Sequence, residues 1–323
     1  MTDIVVVEPF ETSSHMLMSQ VGNVRFGNTT CTYTNEDELI DLIGDADAVV
    51  TTSRGRYTPK VICAAKKLKI IAKCGSLPNN VDLNAATKCG IPVTWTPGSN
   101  AVSVAEHALT IILSLIKKLP QTMQGLKQGE WHSEDKKAEE LTNKIVGIVG
   151  FGQAGYHLSK LLTPYNVRIL CFDPYINKDK VLSAGAEPVD LDTLLSSCDI
   201  VSLHCHMCEE TFHLIDKGSL QKMKNNAFLI NTGRGQLIDE SALEIALKEK
   251  WIAGAGLDVF ETEPAKKDNP LFQLDNILIT PHMAGWTHEA LIREARGASE
   301  EVIRGLKGEA PLNAANPEYT KYK

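Results

Sequence analysis

Short apolar runs recur along the chain, separated by polar residues, glycine or proline. Most of them lack strict alternation of apolar and polar positions, which is typical of strands covered on both faces. The pattern predicts strands at Ile4–Val7, Ala48–Thr51, Lys69–Ala72, Pro92–Trp95, Ile145–Val149, Arg168–Phe172, Ile200–His204, Phe228–Asn231, Gly254–Val259 and Asn276–Thr280.

Helical patterns separate these strands, for example at Glu36–Ile43, Asn84–Cys89, Gly155–Leu162, Leu191–Ser196 and Glu240–Lys248. Alternating strands and helices predict an α/β fold with parallel sheets and right-handed crossovers. A longer helix is predicted at Ala101–Leu119, directly after the loop formers Thr96–Asn100, and an amphipathic helix at Glu289–Leu306. The loop that ends at Asn100 is therefore a natural domain boundary.

Composition and charge narrow the class of protein. The 323 residues are 43% hydrophobic and 23% charged, with a formal net charge of −7 and no dense Lys/Arg block, so neither nucleic acid nor membrane is expected as a partner. The N-terminus lacks a secretory pattern and the apolar stretch Ala108–Ile116 is too short to span a bilayer, which predicts a cytoplasmic protein. The eight cysteines follow no framework spacing and are expected to be reduced.

A glycine-rich motif follows the strand Ile145–Val149 and opens a helical pattern. It reads Gly150-Phe151-Gly152-Gln153-Ala154-Gly155, and this Gly-x-Gly-x-x-Gly between strand and helix is typical of dinucleotide binding. Asp173 ends the next strand, 18 residues after Gly155, where a carboxylate accepts from ribose hydroxyls. No arginine follows Asp173 to receive a 2′-phosphate, so NAD is favoured over NADP. The alternative is a glycine turn that binds no nucleotide.

Three charged residues follow strands in the second half of the chain: Arg234, Glu263 and His282. The carboxyl ends of parallel strands face a common crevice, so these side chains are expected to converge. Arginine suits a carboxylate and its neighbouring carbonyl, histidine is the natural acid and base near neutral pH, and a carboxylate orients the imidazole. Each residue alone has a structural explanation, but the set predicts hydride transfer to a 2-keto acid.

The chain resembles the D-isomer-specific 2-hydroxyacid dehydrogenases over nearly its whole length. The matching segments are Ser103–Leu109, Gly150–Gly155 with Asp173, Asn231–Gly235 through Asp239-Glu240, Ala255–Phe260 with Glu263-Pro264, and Thr280–His282. The resemblance implies a flavodoxin-like substrate domain formed by residues 1–100 and 292–323, and an inserted Rossmann NAD domain formed by residues 101–291. It also implies a cleft at the hinge and a homodimer formed through the NAD domain.

The resemblance further implies residue roles. Arg234 binds the substrate carboxylate and carbonyl, His282 is the acid and base, and Glu263 is its partner. Besides the glycine motif and Asp173, the cofactor-binding residues it implies are His204, Cys205, Thr211, Thr232, Gly233 and Asp258, the last beside the nicotinamide. The substrate-binding residues are Arg54, Ser76, Leu77, Arg234, His282 and Trp286, with Arg54 placed to meet a phosphate or second anionic group.

Two segments depart from the family pattern. The substrate loop, normally Gly-x-Gly-x-Asp-Asn, reads Gly75-Ser76-Leu77-Pro78-Asn79-Asn80, and its proline removes a backbone donor, which points to an unusual substrate. The stretch His204-Cys205-His206-Met207-Cys208 invites a metal or redox interpretation, but no second Cys pair completes a site and no metal is predicted. An NAD-sensing protein similar to the C-terminal-binding corepressors, with little turnover, remains the alternative function.

Overall fold

A computed structural model describes residues 2–8, 13–28, 33–52, 54–75 and 78–322. Within them lie strands β1 Asp3–Val6, β2 Asn23–Phe26, β3 Ala48–Thr51, β4 Ile70–Lys73, β5 Val93–Thr94, β6 Ile145–Val149, β7 Arg168–Phe172, β8 Glu187–Pro188, β9 Ile200–Leu203, β10 Phe228–Asn231, β11 Gly254–Leu257 and β12 Ile277–Ile279. The α-helices are α1 Ser13–Met18, α2 Glu36–Ile43, α3 Pro59–Ala64, α4 Leu83–Lys88, α5 Ala101–Ile116, α6 Leu119–Lys127, α7 Gln153–Leu162, α8 Lys178–Ser183, α9 Leu191–Ser197, α10 Lys217–Lys222, α11 Glu240–Lys248 and α12 His288–Leu306.

The chain divides into two compact units, residues 1–100 with 286–323 and residues 101–285. The second boundary differs from the expected 291/292, which falls inside α12. Because α12 runs unbroken from His288, the whole helix belongs to the first unit. In the part of the chain that is described, no helix combines the length and apolarity needed to cross a bilayer.

The first unit contains a five-stranded parallel sheet in the order β2-β1-β3-β4-β5, the flavodoxin-like order. Alternate residues of β1 enter two different cores: Val5 packs with α2 and α3 residues, whereas Ile4 and Val6 pack with α12 residues such as Val302. Side chains alternate between the faces of a strand, so this sheet is covered on both sides.

The second unit contains a seven-stranded parallel sheet in the order β12-β11-β10-β9-β6-β7-β8. The order reverses between β6 and β9, which is the Rossmann arrangement with its switch point beside the first strand. Its strands also divide their side chains between two cores, as Ile200 and Val201 of β9 show. The predicted α/β class with two doubly wound parallel-sheet domains is confirmed.

The predicted helix Ala101–Leu119 was too long. Helix α5 ends at Ile116, and Lys118 adopts a left-handed conformation with φ of 50° before α6 begins at Leu119. Pro120 in the first turn of α6 has no N–H to continue the ladder of α5, so the chain starts a new helix there.

Candidate active site

The predicted cofactor and catalytic residues of the second unit follow the carboxyl ends of its strands. Because all seven strands are parallel, these ends share one edge of the sheet. The glycine motif follows β6, Asp173 follows β7, His204 and Cys205 follow β9, Thr232, Gly233 and Arg234 follow β10, Asp258 follows β11, and His282 follows β12.

A short hydrogen bond at this edge joins His282 to Glu263. The Nδ1 atom of His282 lies 2.6 Å from Oε2 of Glu263, while Oε1 of Glu263 accepts from the Phe260 N–H at 3.1 Å. The hydrogen bond to Glu263 raises the pKa of His282 against the opposing effect of burial. Burial opposes ionisation of Glu263, but its hydrogen bonds to His282 and Phe260, together with the nearby charges of His282 and Arg234, hold its pKa below the ordinary value. The pair therefore favours a protonated imidazole beside an ionised carboxylate.

Arg234 lies close enough for its charge to act on both members of that pair. It lowers the pKa of Glu263 and that of His282, in each case as a smaller contribution than their mutual hydrogen bond. Its Nη1 atom donates to the Gly233 carbonyl at 2.7 Å. The buried Asn231 shapes this loop, since its side chain accepts from the Gly233 N–H at 3.0 Å and donates to the Arg234 carbonyl at 2.8 Å.

Asn231 and Asp258 hold the loops that carry Arg234 and His282 through hydrogen bonds to their backbone. The sequence did not predict this role. Asp258 is fully buried, and its Oδ1 accepts from the Thr280 hydroxyl at 2.6 Å and from the Met283 N–H at 2.9 Å. Its Oδ2 accepts from the Ala284 N–H at 2.8 Å. The Asp258 carboxylate thus holds the turn in which His282 adopts a left-handed φ of 50°. Its expected place beside the nicotinamide remains a prediction.

The glycine motif meets the steric demands of a phosphate-binding turn. Gly150 has a φ of 89°, and a Cβ there would lie 2.5 Å from the Cys205 backbone nitrogen. A Cβ at Gly155 would lie 2.3 Å from the Gly150 carbonyl oxygen. By contrast, a Cβ at Gly152 would meet no atom within 4 Å, so space is open where α7 presents the N–H groups of its first turn. Gln153 and Ala154 are the first two residues of that turn.

Asp173 connects this turn to the end of β7. Its Oδ2 accepts from the Phe151 N–H at 2.8 Å, and its Oδ1 accepts from the Tyr175 N–H at 3.0 Å. An ionised carboxylate offers about four acceptor positions, so these bonds leave capacity for hydroxyl donors.

Two buried polar atoms beside the same turn have no hydrogen-bond partner among the described residues: Nδ1 of His204 and Oγ1 of Thr232. Burial lowers the pKa of His204 to about 4, so its ring is neutral near pH 7. Its other nitrogen, Nε2, lies 2.8 Å from the Ser202 hydroxyl. Buried polar atoms normally find partners, and these two together with the open space at Gly152 fit a bound dinucleotide.

The loop after His204 is held by hydrogen bonds within itself. The Thr211 hydroxyl donates to the His206 carbonyl at 2.7 Å and accepts from the Cys208 N–H at 2.8 Å, which closes the loop on itself. Cys208 is a free thiol 3.4 Å from that hydroxyl, and Cys205 is a free, partly buried thiol. Over the described ranges, no group of three or more His, Cys, Asp or Glu side chains is arranged to hold a metal ion.

Of the residues predicted to bind substrate, two described ones belong to the first unit. Arg54 lies in a loop held by the buried Glu8 carboxylate, which accepts from the Thr52 and Arg54 N–H groups at 2.7 and 2.5 Å. Trp286 is 69% exposed, just before the N-cap of α12. Ser76 and Leu77 lie outside the described residues.

The chain is similar to known proteins over most of its length. The family model "D-isomer specific 2-hydroxyacid dehydrogenase, NAD binding domain" matches residues 109–284. The chain is 38% identical to D-3-phosphoglycerate dehydrogenase of Archaeoglobus fulgidus over 87% of its length but only 54% of the relative's, so it spans about half of that protein. It is 37% identical to glyoxylate reductase of Korarchaeum cryptofilum, over 88% of this chain and 87% of the relative.

A solved structure is similar in fold over nearly the whole chain. D-lactate dehydrogenase of Aquifex aeolicus, in complex with NAD and lactic acid, superposes with a TM-score of 0.83 at 27% identity, covering 98% of this chain and 99% of that one. The chain therefore belongs to the D-isomer-specific 2-hydroxyacid dehydrogenase family, and residues 109–284 form the family's NAD-binding domain.

Proposed function

We propose that the protein is an NAD-dependent oxidoreductase that interconverts a small D-2-hydroxy acid and the corresponding 2-keto acid. The observation that carries the proposal is the 2.6 Å contact between His282 and Glu263, made near Arg234 and on the same sheet edge as the glycine motif. The hydrogen bond to Glu263 raises the pKa of His282 and so favours the protonated imidazole, as a general acid requires.

His282 is the proton donor and acceptor in this scheme. Its Nδ1 is engaged with Glu263, so Nε2 is the nitrogen that protonates the carbonyl oxygen during reduction and removes the hydroxyl proton during oxidation. Glu263 fixes the ring orientation and stabilises the imidazolium. NAD(H), when bound, supplies or accepts the hydride.

Arg234 binds the substrate carboxylate and polarises the adjacent carbonyl. A guanidinium offers parallel N–H donors that match a carboxylate, and its charge remains at any working pH. The buried Asn231 side chain accepts from the Gly233 N–H and donates to the Arg234 carbonyl, and these two hydrogen bonds keep the Arg234 backbone in place. Asp258 positions the His282 turn in the same way.

The residues that would hold NAD are the glycine motif, Asp173 and several residues of the loops that follow β9, β10 and β11. Gly150, Gly152 and Gly155 with Gln153 and Ala154 receive the pyrophosphate at the start of α7. Asp173 accepts from the adenosine ribose hydroxyls. The remaining contacts come from His204, Cys205, Thr211, Thr232, Gly233 and Asp258.

We further propose a set of residues that select the substrate. We assign this role to Arg54, Ser76, Leu77 and Trp286, with Arg54 meeting a hydroxyl, phosphate or second carboxylate. Two relatives are named for substrates that differ in the group such an arginine would meet: 3-phosphoglycerate carries a phosphate and glyoxylate does not. A panel that varies the group next to the keto acid therefore tests the role of Arg54.

The test is NADH oxidation followed at 340 nm with hydroxypyruvate, glyoxylate, pyruvate, 2-ketoisocaproate, oxaloacetate, 3-phosphohydroxypyruvate and sugar-derived 2-keto acids. We expect turnover of one or a few, and the D enantiomer of the product. Clear NADH binding without turnover of any member would contradict the proposal and favour a sensor that acts through partners.

We also propose a cytoplasmic homodimer formed through the NAD domain. Helix α6 and the segment after it expose large apolar side chains in the second unit: Leu119, Met123, Leu126 and Trp131 are 52%, 58%, 60% and 74% exposed. A set of this size is typical of an interaction surface.

Sedimentation equilibrium should give twice the chain mass, and Leu126→Glu should shift the protein toward the monomer. A monomeric wild-type protein at micromolar concentration would contradict the dimer.

A further inference from the structure

A pair of thiols in the first unit lies outside the proposed active site. The sulfur atoms of Cys63 and Cys89 are 3.8 Å apart, and both side chains are exposed. Cys63 lies in the last turn of α3, and Cys89 is the C-cap of α4, 26 residues further along the chain. The sequence gives no hint of this pair, because it has no short Cys-x-x-Cys spacing.

The two helices that carry these thiols are firmly placed. Val61 and Ile62 of α3 and Ala85 and Ala86 of α4 pack into the same core on one face of the first sheet. At the end of α4, the Cys89 N–H donates to the Ala85 carbonyl at 3.0 Å. The sulfur–sulfur contact is therefore a consequence of the core packing and does not depend on a loop.

Helix α4 also ends in a fixed way immediately after Cys89. Gly90 takes a left-handed φ of 68°, and the Ile91 N–H returns to the Ala86 carbonyl at 2.9 Å. This is the hydrogen-bonding pattern of a Schellman C-cap, which leaves little freedom for the Cys89 backbone.

We propose that Cys63 and Cys89 form a site of reversible thiol oxidation, at which a hydroperoxide converts the dithiol to an intramolecular disulfide. The sulfur of one cysteine attacks a peroxide oxygen, the O–O bond breaks, and a sulfenic acid and one water or alcohol molecule result. The second sulfur then attacks the sulfenic sulfur, the S–S bond forms, the S–O bond breaks, and the thiol proton leaves with hydroxide as water. The two sulfurs are oxidised and the peroxide is reduced.

Disulfide formation requires only a small movement of the two sulfur atoms. A disulfide has a sulfur–sulfur distance of about 2.05 Å, so the gap closes by less than about 2 Å, within reach of side-chain rotation. Burial and the contact with Cys63 raise the pKa of Cys89, so proximity and not an acidic thiol favours the reaction. We therefore expect oxidation over minutes to hours with excess peroxide, more slowly than at a low-pKa thiol.

The other thiols of the described chain provide the contrast. Cys74, Cys171 and Cys198 are buried, and burial raises the pKa of Cys171 to about 12 and that of Cys198 to about 12. Such thiols react poorly with oxidants. Cys208 is exposed like the proposed pair, but its sulfur contacts the Thr211 hydroxyl and not another thiol, and this hydrogen bond lowers its pKa. It is therefore the control for a reactive thiol at a different place in the fold.

The crosslink would close a ring of chain from residue 63 to residue 89. This ring contains β4 and residues 75–80, the segment expected to bind substrate. Backbone bonds between the Tyr57 N–H and the Asn80 carbonyl, and between the Asp82 N–H and the Tyr57 carbonyl, tie the ring to the Arg54 loop. The disulfide restricts the unfolded chain, so the midpoint of thermal unfolding should rise by several degrees.

The experiment treats the 323-residue protein with a tenfold excess of hydrogen peroxide, blocks the remaining thiols with iodoacetamide, and maps tryptic peptides by mass spectrometry without reduction. We expect a crosslink between the peptides of Cys63 and Cys89, its loss after dithiothreitol, and a raised unfolding midpoint only while it is present. Cys63→Ser should abolish the crosslink, whereas Cys208→Ser should leave it unchanged.

Peptides in which Cys63 and Cys89 are alkylated separately after peroxide treatment would overturn the proposal. So would a crosslink that links either residue mainly to another cysteine. A Cys63–Cys89 disulfide with an unchanged unfolding midpoint would refute the ring restriction. The map needs no enzymatic activity, so its outcome is independent of the function proposed above.

Discussion

The buried carboxylate of Asp258 offers a direct way to disturb His282 without touching it. Asp258→Asn keeps the size of the side chain but replaces one acceptor oxygen with an amino group. In the wild type, Oδ1 accepts from Thr280 and Met283 and Oδ2 accepts from the Ala284 N–H. In either orientation of the asparagine, a buried backbone N–H faces an NH₂ group and loses its acceptor.

The cost follows from these bonds. A hydrogen bond to a charged group contributes about 1.5–3 kcal/mol, and a buried donor without an acceptor costs about 1–3 kcal/mol. Removal of a buried charge recovers part of this cost, so we expect the free energy of unfolding to fall by about 2–4 kcal/mol. A shift of roughly 1 Å in the turn that carries His282 lowers kcat about 10²-fold.

The assay pairs urea unfolding with steady-state reduction of the best substrate from the panel. Asp199→Asn is the matched control, because Asp199 accepts from the Ile145 N–H at 2.8 Å and from Lys224 at 2.9 Å at the opposite edge of the same sheet. We expect the control to lose stability with little change in kcat, and Asp258→Asn to lose both. An Asp258→Asn enzyme with kcat within twofold of wild type would refute the positioning role.

Three further substitutions test individual roles. His282→Ala should lower kcat by about 10²–10⁴-fold while NADH binding, measured by fluorescence, stays nearly intact, and an unimpaired variant contradicts its role as acid and base. Asp173→Ala removes the acceptor for the Phe151 N–H and for ribose hydroxyls, so KM for NADH should rise with kcat little changed; an unchanged KM removes Asp173 from the cofactor site. Arg234→Gln should raise KM for the keto acid and lower kcat, and wild-type kinetics would exclude it from substrate binding.

Hydrophobic patterning predicted the central strands but missed one outermost strand in each sheet, β2 and β8. Strand β2 has no fully buried residue, and β8 is a two-residue strand ending in proline. Neither has the continuous apolar run that marks a strand covered on both faces. Helices α1, α3, α8 and α10 are not among the segments named from the pattern, and each is six residues long, less than two turns, which leaves little periodicity to detect; α4, of the same length, is the exception.

The candidate catalytic residues could be predicted from the sequence, whereas the residues that position them could not. Arg234, Glu263 and His282 stand out because charged residues after strands are placed at a shared edge. The roles of Asn231 and Asp258 depend on which backbone N–H groups their side chains meet, and these contacts arise only when β10, β11 and the following turns are assembled. No pattern in a single sequence specifies such contacts, just as none pairs Cys63 with Cys89.

The most direct test of the His282–Glu263 pair is the pH dependence of kcat/KM for keto acid reduction, compared between wild type and Glu263→Gln. Reduction needs protonated His282, so the rate falls as the pH rises through the pKa of this residue. Glu263 raises that pKa, and its neutral replacement should move the falling limb to lower pH. Coincident profiles, or a shift to higher pH, would contradict the assignment of His282 and Glu263 as the acid–base pair.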